Sequence, residues 1–301
     1  MLAAGGMPPR ISQFTPPKMR QAMLRLAQAL DIKAVSIGKI ENRDLPSLGG
    51  PLPVRIYTPT AVTDVESPGI VYFHGGAGVF CSIETHDGLC RLLANASNCR
   101  IISVDYRLAP ENPFPAAVED SYFATQWVCE HAPELCIDPA RIAVGGDSAG
   151  GTLAAVVCQL AKHSGGPPIA LQVLLCPVTD LSRESESRKA YGEGYFLDRA
   201  TLAWAVNHYC SAGEDLADAR ISPLRAVDFS GLPPAHIHTA EFDPLGDEGK
   251  AYADALRHAG VPVRFTCHEG MIHHFYGMAG AIDYAQLAIA QVGAAVKEAL
   301  G

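Results

Sequence analysis

The chain has 301 residues, of which 48% are hydrophobic and 18% charged, with a formal net charge of −9. That length fits one large catalytic domain or two small ones, and the composition excludes a disordered chain. The acidic excess argues against nucleic acid or an anionic membrane as the main partner.

Nine cysteines show no C-x-x-C spacing, and several, such as Cys158 and Cys176, sit inside apolar runs. Buried free thiols in a reducing compartment are expected, rather than disulfides or a metal site. The first residues lack a basic start followed by an apolar run, and no apolar stretch is long enough to span a bilayer. The expected location is therefore the cytoplasm, without stable membrane insertion.

Residues 1–17 are rich in Pro and Gly and read as irregular. From Lys18 to about Leu30 the apolar spacing is helical, with Pro16 and Pro17 placed to start the helix. Strand-like runs follow at 35–43, 54–59, 69–75, 100–106, 141–146, 169–177, 235–243 and 263–269. From the third onward they alternate with helical patterns near 86–97, 116–131, 150–163, 246–259 and 283–299. The middle runs are continuously apolar, as strands buried on both faces of a parallel sheet must be. Alternating strand and helix predicts a layered α/β fold, and the first two strands, with no helix between them, predict an antiparallel edge. Between Cys176 and Ala235 the rhythm breaks. This stretch contains the helical pattern YFLDRATLAWAVNHYC at 195–210 and is expected to cap the site, with the N-terminal helix joining it. The expected division is 1–50 as an N-terminal segment contributing to the cap, 51–180 with 226–301 as the catalytic core, and 181–225 as the cap insertion.

The sharpest local signal is GGDSAGG at 145–151. An apolar strand runs into it and an apolar helix leaves it, so Ser148 stands on a strand–turn–helix elbow. Glycines are needed there because the turn is strained and neighbouring side chains would clash. The elbow also puts Ser148 at a helix N-terminus, which favours developing negative charge. Two nucleotide motifs fail by one residue each. Gly151 stands where a phosphate-binding loop needs lysine, and Cys81 replaces the last glycine of a G-x-G-x-x-G begun at Gly76.

His74-Gly75-Gly76-Ala77-Gly78 follows another apolar strand. Small residues let backbone N–H groups approach an oxyanion closely; Ala149 is expected to supply one donor and the stretch Gly75 to Ala77 the others. A serine hydroxyl needs a base, and histidine suits that task near neutral pH. Asp243 is the first residue past the apolar run of the seventh strand, with Glu241 and Asp247 nearby. His273 and His274 follow the eighth strand and must point in different directions. Acid and base therefore both fall past strand C-termini, the edge where open α/β sheets place their sites, and the order Ser, Asp, His is that of an α/β-hydrolase. His236 and His238 read as packing residues, and no H-E-x-x-H motif supports zinc.

These pieces together resemble the bacterial hormone-sensitive-lipase-like esterases. The matching segments are YFHGGAGVF with THD at 85–87, DYRLAPENPFPAAVED at 105–120, GGDSAGG at 145–151, CPVTD at 176–180, EFDPLGDEG at 241–249 and GMIHHF at 270–275. The resemblance implies an α/β-hydrolase core with an eight-stranded, mostly parallel sheet and a helical cap. It implies cleavage of short- to medium-chain carboxylic esters with no metal or organic cofactor. It carries over Ser148, Asp243 and His273 as the triad, with His273 chosen because Phe275 follows one residue later, and Gly75, Gly76 and Ala149 as oxyanion donors. It also implies a possible homodimer through the sheet edge. Ala77 departs from the family's third glycine, and Gly78 stands where a bulky residue is usual. Ala77, Tyr195, Phe196 and Leu197 are expected near the substrate. The alternatives with the same residues are an amidase or acyltransferase, or a non-catalytic small-molecule-binding protein on the same fold.

Overall fold

The computed structural model describes residues 14–33, 35–47, 49–62 and 65–301; most of the Pro- and Gly-rich start lies outside them. Eight strands form one sheet in the order β1-β2-β4-β3-β5-β6-β7-β8. They are β1 (Lys39–Ser47), β2 (Gly50–Thr58), β3 (Ser67–Phe73), β4 (Arg100–Val104), β5 (Ile137–Asp147), β6 (Leu171–Leu175), β7 (Ala235–Phe242) and β8 (Val263–Ile272). The helices are α1 (Pro16–Leu30), α2 (Asp87–Ser97), α3 (Ala116–Glu130), α4 (Ala149–Ser164), α5 (Glu186–Tyr191), α6 (Arg199–Tyr209), α7 (Gly246–His258) and α8 (Asp283–Leu300).

The expected antiparallel edge is present: β1 pairs antiparallel with β2, and β2 with β4. From β4 to β8 every pairing is parallel. Because β1 lies in the sheet, the sheet begins before residue 51, and a division at that position cuts through the β1–β2 hairpin.

Strand periodicity explains the two-sided core. Successive side chains point to opposite faces, so Val71, Phe73, Ile102, Val144 and Leu174 pack with α3, α4 and α7. Ile70, Tyr72, Ile101, Ala143 and Val173 face the other way, onto α2 and α8. Both β4 and β6 are buried along their whole length, which accounts for their unbroken apolar sequence. Fully burying each such Val, Leu, Ile or Phe side chain contributes roughly 1.5–3 kcal/mol. A third, smaller cluster joins α1 through Met19 to Trp204 and Ala205 of α6 and to Val79, Phe80 and Cys81 after β3. The indole of Trp204 donates to the Phe14 carbonyl at 3.1 Å. All nine cysteines are free thiols.

The sheet's far edge holds an unusual polar layer. His238 Nδ1 lies 3.2 Å from His268 Nε2, which also meets the Tyr276 hydroxyl at 2.9 Å, while His268 Nδ1 meets Tyr284 at 3.0 Å. Burial pushes His238 down to about 3, with the neighbouring His268 adding to the effect. Burial likewise pushes His268 down to about 4. Both stay neutral in the fold while the unfolded chain protonates them below about 6.5. The unfolded state thus binds more protons between those values, and stability must fall as pH drops from 6.5 toward 4. Urea denaturation from pH 7.5 to 5 is expected to show a falling midpoint, and His238→Leu is expected to flatten that slope.

Candidate active site

Parallel pairing puts the C-terminal ends of β3, β5, β7 and β8 on one edge of the sheet. Four chain segments leave there: His74 onward from β3, Ser148 from β5, Asp243 from β7 and His273 from β8. Because β3 and β5 are neighbours, with Phe73 level with Gly146, the glycine-rich loop emerges beside the elbow.

Ser148 has φ 53° and ψ −121°, a conformation that costs a non-glycine residue on the order of 1–3 kcal/mol. Its N–H donates to the Leu175 carbonyl at 2.8 Å, and its own carbonyl accepts from the Thr152 N–H at 3.1 Å. These bonds pin the strained residue between β6 and the first turn of α4. Gly150 is required by close approach: a β-carbon there would lie 1.9 Å from the Phe73 carbonyl oxygen.

Asp243 is 1% exposed and His273 5%. One Asp243 oxygen accepts the Leu245 N–H at 2.8 Å, and the other lies 2.8 Å from His273 Nδ1. An ionised carboxylate only accepts, so Nδ1 carries the proton and Nε2 turns a lone pair toward the Ser148 hydroxyl, 3.0 Å away. The buried Cys176 thiol lies within 4.8 Å of the Asp243 carboxylate. Burial opposes charge on His273, but the charge and hydrogen bond of Asp243 outweigh it and raise the imidazole above its ordinary value. His274, one residue on, turns away. Its Nδ1 lies 3.7 Å from Asp147, and its ring stacks on Phe196 with centroids 5.7 Å apart.

The oxyanion loop differs from expectation at Gly75. Its N–H donates to Asp147 Oδ1 at 3.0 Å, so it points into the protein under the elbow rather than at a reacting carbonyl. Gly76 turns the chain at φ +110°, where a β-carbon would lie 2.0 Å from the Phe80 carbonyl oxygen. Ala77 follows at φ 56°, a left-handed residue in spite of its methyl group. Among the described residues, the N–H groups of Gly76, Ala77 and Ala149 have no hydrogen-bond partner.

Two apolar pockets flank this point. One holds Ser148 and His273, with Met19 and Met23 of α1 and with Phe196 and Leu197. The other runs between α4 and α6 and is lined by Leu153, Val206, Tyr209 and Ile221. Ala77, Val178, Leu202 and Ala205 belong to both. Tyr195 does not line either. Its ring stacks on Phe242 at 5.6 Å and meets Tyr191 edge-on, because the turn before α6 carries it to the outside. Tyr209 was not legible as a pocket residue, although its ring occupies the space beside Gly78: a β-carbon at Gly78 would come within 2.7 Å of it. The unusual glycine was the available signal.

Residues 70–277 match the family model for the alpha/beta hydrolase fold. The chain belongs to the alpha/beta hydrolase family. Within this family it is 44% identical over 259 residues to the carboxylesterase NlhH of Mycobacterium tuberculosis, a match covering 83% of this chain and 79% of the relative. The carboxylic ester hydrolase LipN of the same organism is 44% identical over 79% of this chain; the match spans only 65% of LipN's own length. Among solved structures, the thermostable carboxylesterase EstE1 from a metagenomic library has a TM-score of 0.91 at 38% identity, covering 96% of this chain and 98% of EstE1. An alpha/beta hydrolase from the metagenome of Lake Arreo gives 0.94 at 40% identity, covering 97% and 92%. With near-complete coverage of carboxylesterase folds at this identity, the chain is a hormone-sensitive-lipase-like ester hydrolase.

The contact between Gly150 and Phe73 gives a direct test of the elbow. Gly150→Ala is expected to lose at least about 3 kcal/mol of stability, since backbone rather than a flexible side chain must give way. Chemical denaturation reads the loss.

Proposed function

We propose that this chain hydrolyses carboxylic esters of short to medium acyl chain through an acyl-serine intermediate on Ser148. The observation that carries the reading is the unbroken hydrogen-bond chain from Asp243 through His273 to Ser148. His273 removes the Ser148 proton as Oγ attacks the ester carbonyl, and the tetrahedral intermediate collapses with the alcohol leaving, protonated by His273. Water then attacks the acyl-serine in the same way, and the acid departs. Asp243 keeps the proton on Nδ1 and stabilises the imidazolium that forms. Gly76, Ala77 and Ala149 donate their N–H groups to the oxyanion, each worth on the order of 10²–10³ in rate. Gly75, whose N–H is already engaged with Asp147, supports that loop from below.

In this reading α1 and the segment carrying α5 and α6 form the cap. Support comes from the Met19, Met23, Phe196 and Leu197 side chains over Ser148. The acyl and alcohol parts of the substrate divide between the two pockets at Ala77. Tyr209 and Ile221 wall the second pocket, which suits chains of modest length. The described helices include none long and apolar enough to cross a membrane, and nine free thiols fit a reducing, cytoplasmic setting. A homodimer would use the outer side of β8, the last strand in the sheet order.

p-Nitrophenyl esters of increasing acyl length, assayed beside an amide analogue, test the proposal. The expected result is ester turnover that falls with long chains, negligible amide cleavage, and loss of at least about 10⁴-fold in kcat for Ser148→Ala. Only neutral His273 can act as base. Because Asp243 raises its pKa, activity is expected to fail on the acid side with a midpoint above 6.5. Undiminished turnover by Ser148→Ala, or amide cleavage as fast as ester cleavage, would overturn the assignment.

A further inference from the structure

A second histidine–carboxylate pair lies directly beneath the first. Asp147 precedes the proposed nucleophile and is 5% exposed; His86 is 1% exposed. His86 Nε2 stands 3.1 Å from Asp147 Oδ1 and 3.2 Å from Oδ2. The other ring nitrogen, Nδ1, meets Thr85 Oγ1 at 2.8 Å.

The hydrogen-bond inventory fixes the protons. The Thr85 hydroxyl donates its one proton to the Ser82 carbonyl at 2.8 Å and accepts the Ser82 N–H at 3.0 Å. It has no proton left for His86, so Nδ1 is the donor in that contact. Nε2 then faces both oxygens of a carboxylate that can only accept. A neutral ring would oppose its lone pair to theirs at 3.1–3.2 Å; a proton on Nε2 turns repulsion into a charge-assisted hydrogen bond. The Gly75 N–H is directed at both Asp147 Oδ1, at 3.0 Å, and His86 Nε2, at 3.3 Å; with Nε2 protonated, only the shorter contact is a hydrogen bond.

Asp147 thereby gathers donors from three directions: the Tyr72 hydroxyl at 2.8 Å, the Gly75 N–H and His86. Through Gly75 it holds the loop that presents Gly76 and Ala77, and through the chain it is bonded to Ser148. We propose that His86, held as an imidazolium against Asp147, is a positioning residue that locks the oxyanion loop onto the nucleophile elbow. This rests on the ester-hydrolase reading for its kinetic consequence, but not for the charge state.

The groups facing His86 agree with this. Burial opposes its charge, while Asp147 at the end of β5 and Asp31 after α1 favour it, and together they raise its pKa. His74 after β3, with ring centroids 5.6 Å away, and His274 after β8, at 5.7 Å, are the other titratable neighbours. Burial foremost, with the His86 charge adding, pushes His74 down to about 3. His274 is lowered chiefly by burial, against the opposing pull of Asp147. Both therefore stay neutral beside a charged His86.

Nitrogen-15 NMR of histidine-labelled full-length protein, with the His86 signals assigned by their loss in His86→Gln, reads the charge directly. Both ring nitrogens are expected to be protonated at pH 7–8. Kinetics on a short p-nitrophenyl ester are expected to show kcat for His86→Phe reduced by about 10–100-fold with KM within about threefold of wild type. His86→Gln, whose neutral amide still donates to Asp147, is expected to recover most of that loss, and its kcat to lack the alkaline decline caused in wild type by deprotonation of His86. A neutral His86 at pH 7, or a folded His86→Phe whose kcat lies within twofold of wild type, overturns the proposal. A wild-type protein that turns over no ester overturns the hydrolase reading instead, and the NMR result still decides the charge of His86.

Discussion

Helix α4 begins so close to the end of β3 that the Phe73 carbonyl occupies the space a side chain on Gly150 would need. This contact governs the geometry of the site. It brings a helix N-terminus, a strained serine and a glycine-rich loop to one point on the sheet edge. Parallel pairing of β3 with β5 sets the contact, and the bonds of Ser148 to β6 and α4 hold it. The strain at Ser148 persists because elements on both sides are buried and fixed by a core that extends over both faces of the sheet.

The electrostatics then divide into two layers. In the upper one, Asp243 and His273 are arranged so that the carboxylate stabilises the charge the imidazole gains when it takes the serine proton. In the lower one, Asp147 is held well below the ordinary carboxylate range: burial opposes its charge, but the charge and hydrogen bond of His86, with His274 3.7 Å away, outweigh that penalty. Two adjacent residue pairs, 147 with 148 and 273 with 274, thus feed different layers. The lower layer holds backbone in place, and the upper one moves a proton. Keeping them separate matters because a charged His274 beside His273 would weaken the base; burial keeps His274 neutral.

Much of this was legible in the sequence for physical reasons. Strands buried on both faces must be apolar throughout, so β3 to β7 announced a parallel sheet, and the missing helix between β1 and β2 announced the antiparallel edge. Ser148, Asp243 and His273 could be found because each follows directly on a strand of the sheet, β5, β7 and the edge strand β8. Direction was not legible. The sequence says that Gly75 is small, but not that its N–H points at Asp147, since a peptide plane is set by φ and ψ on both sides of it. Tyr195, Phe196 and Leu197 are consecutive, yet only the latter two line the pocket. Which side of an irregular segment faces inward depends on packing with Phe242 and α1 rather than on any period. His86 and Asp147 lay within segments matched to the family, but a buried ion pair between residues 61 positions apart leaves no local pattern.

The account stands on Ser148 being, among the described residues, the one hydroxyl made nucleophilic by its surroundings. Intact and peptide mass spectrometry after reaction with an alkyl phosphonate ester tests this most directly, because the reagent phosphonylates an activated serine and then stays. One adduct per chain, confined to the peptide containing Ser148 and formed in step with loss of ester turnover, is the predicted result. Loss of turnover with the adduct on another residue, or an active enzyme with Ser148 fully modified, would contradict it.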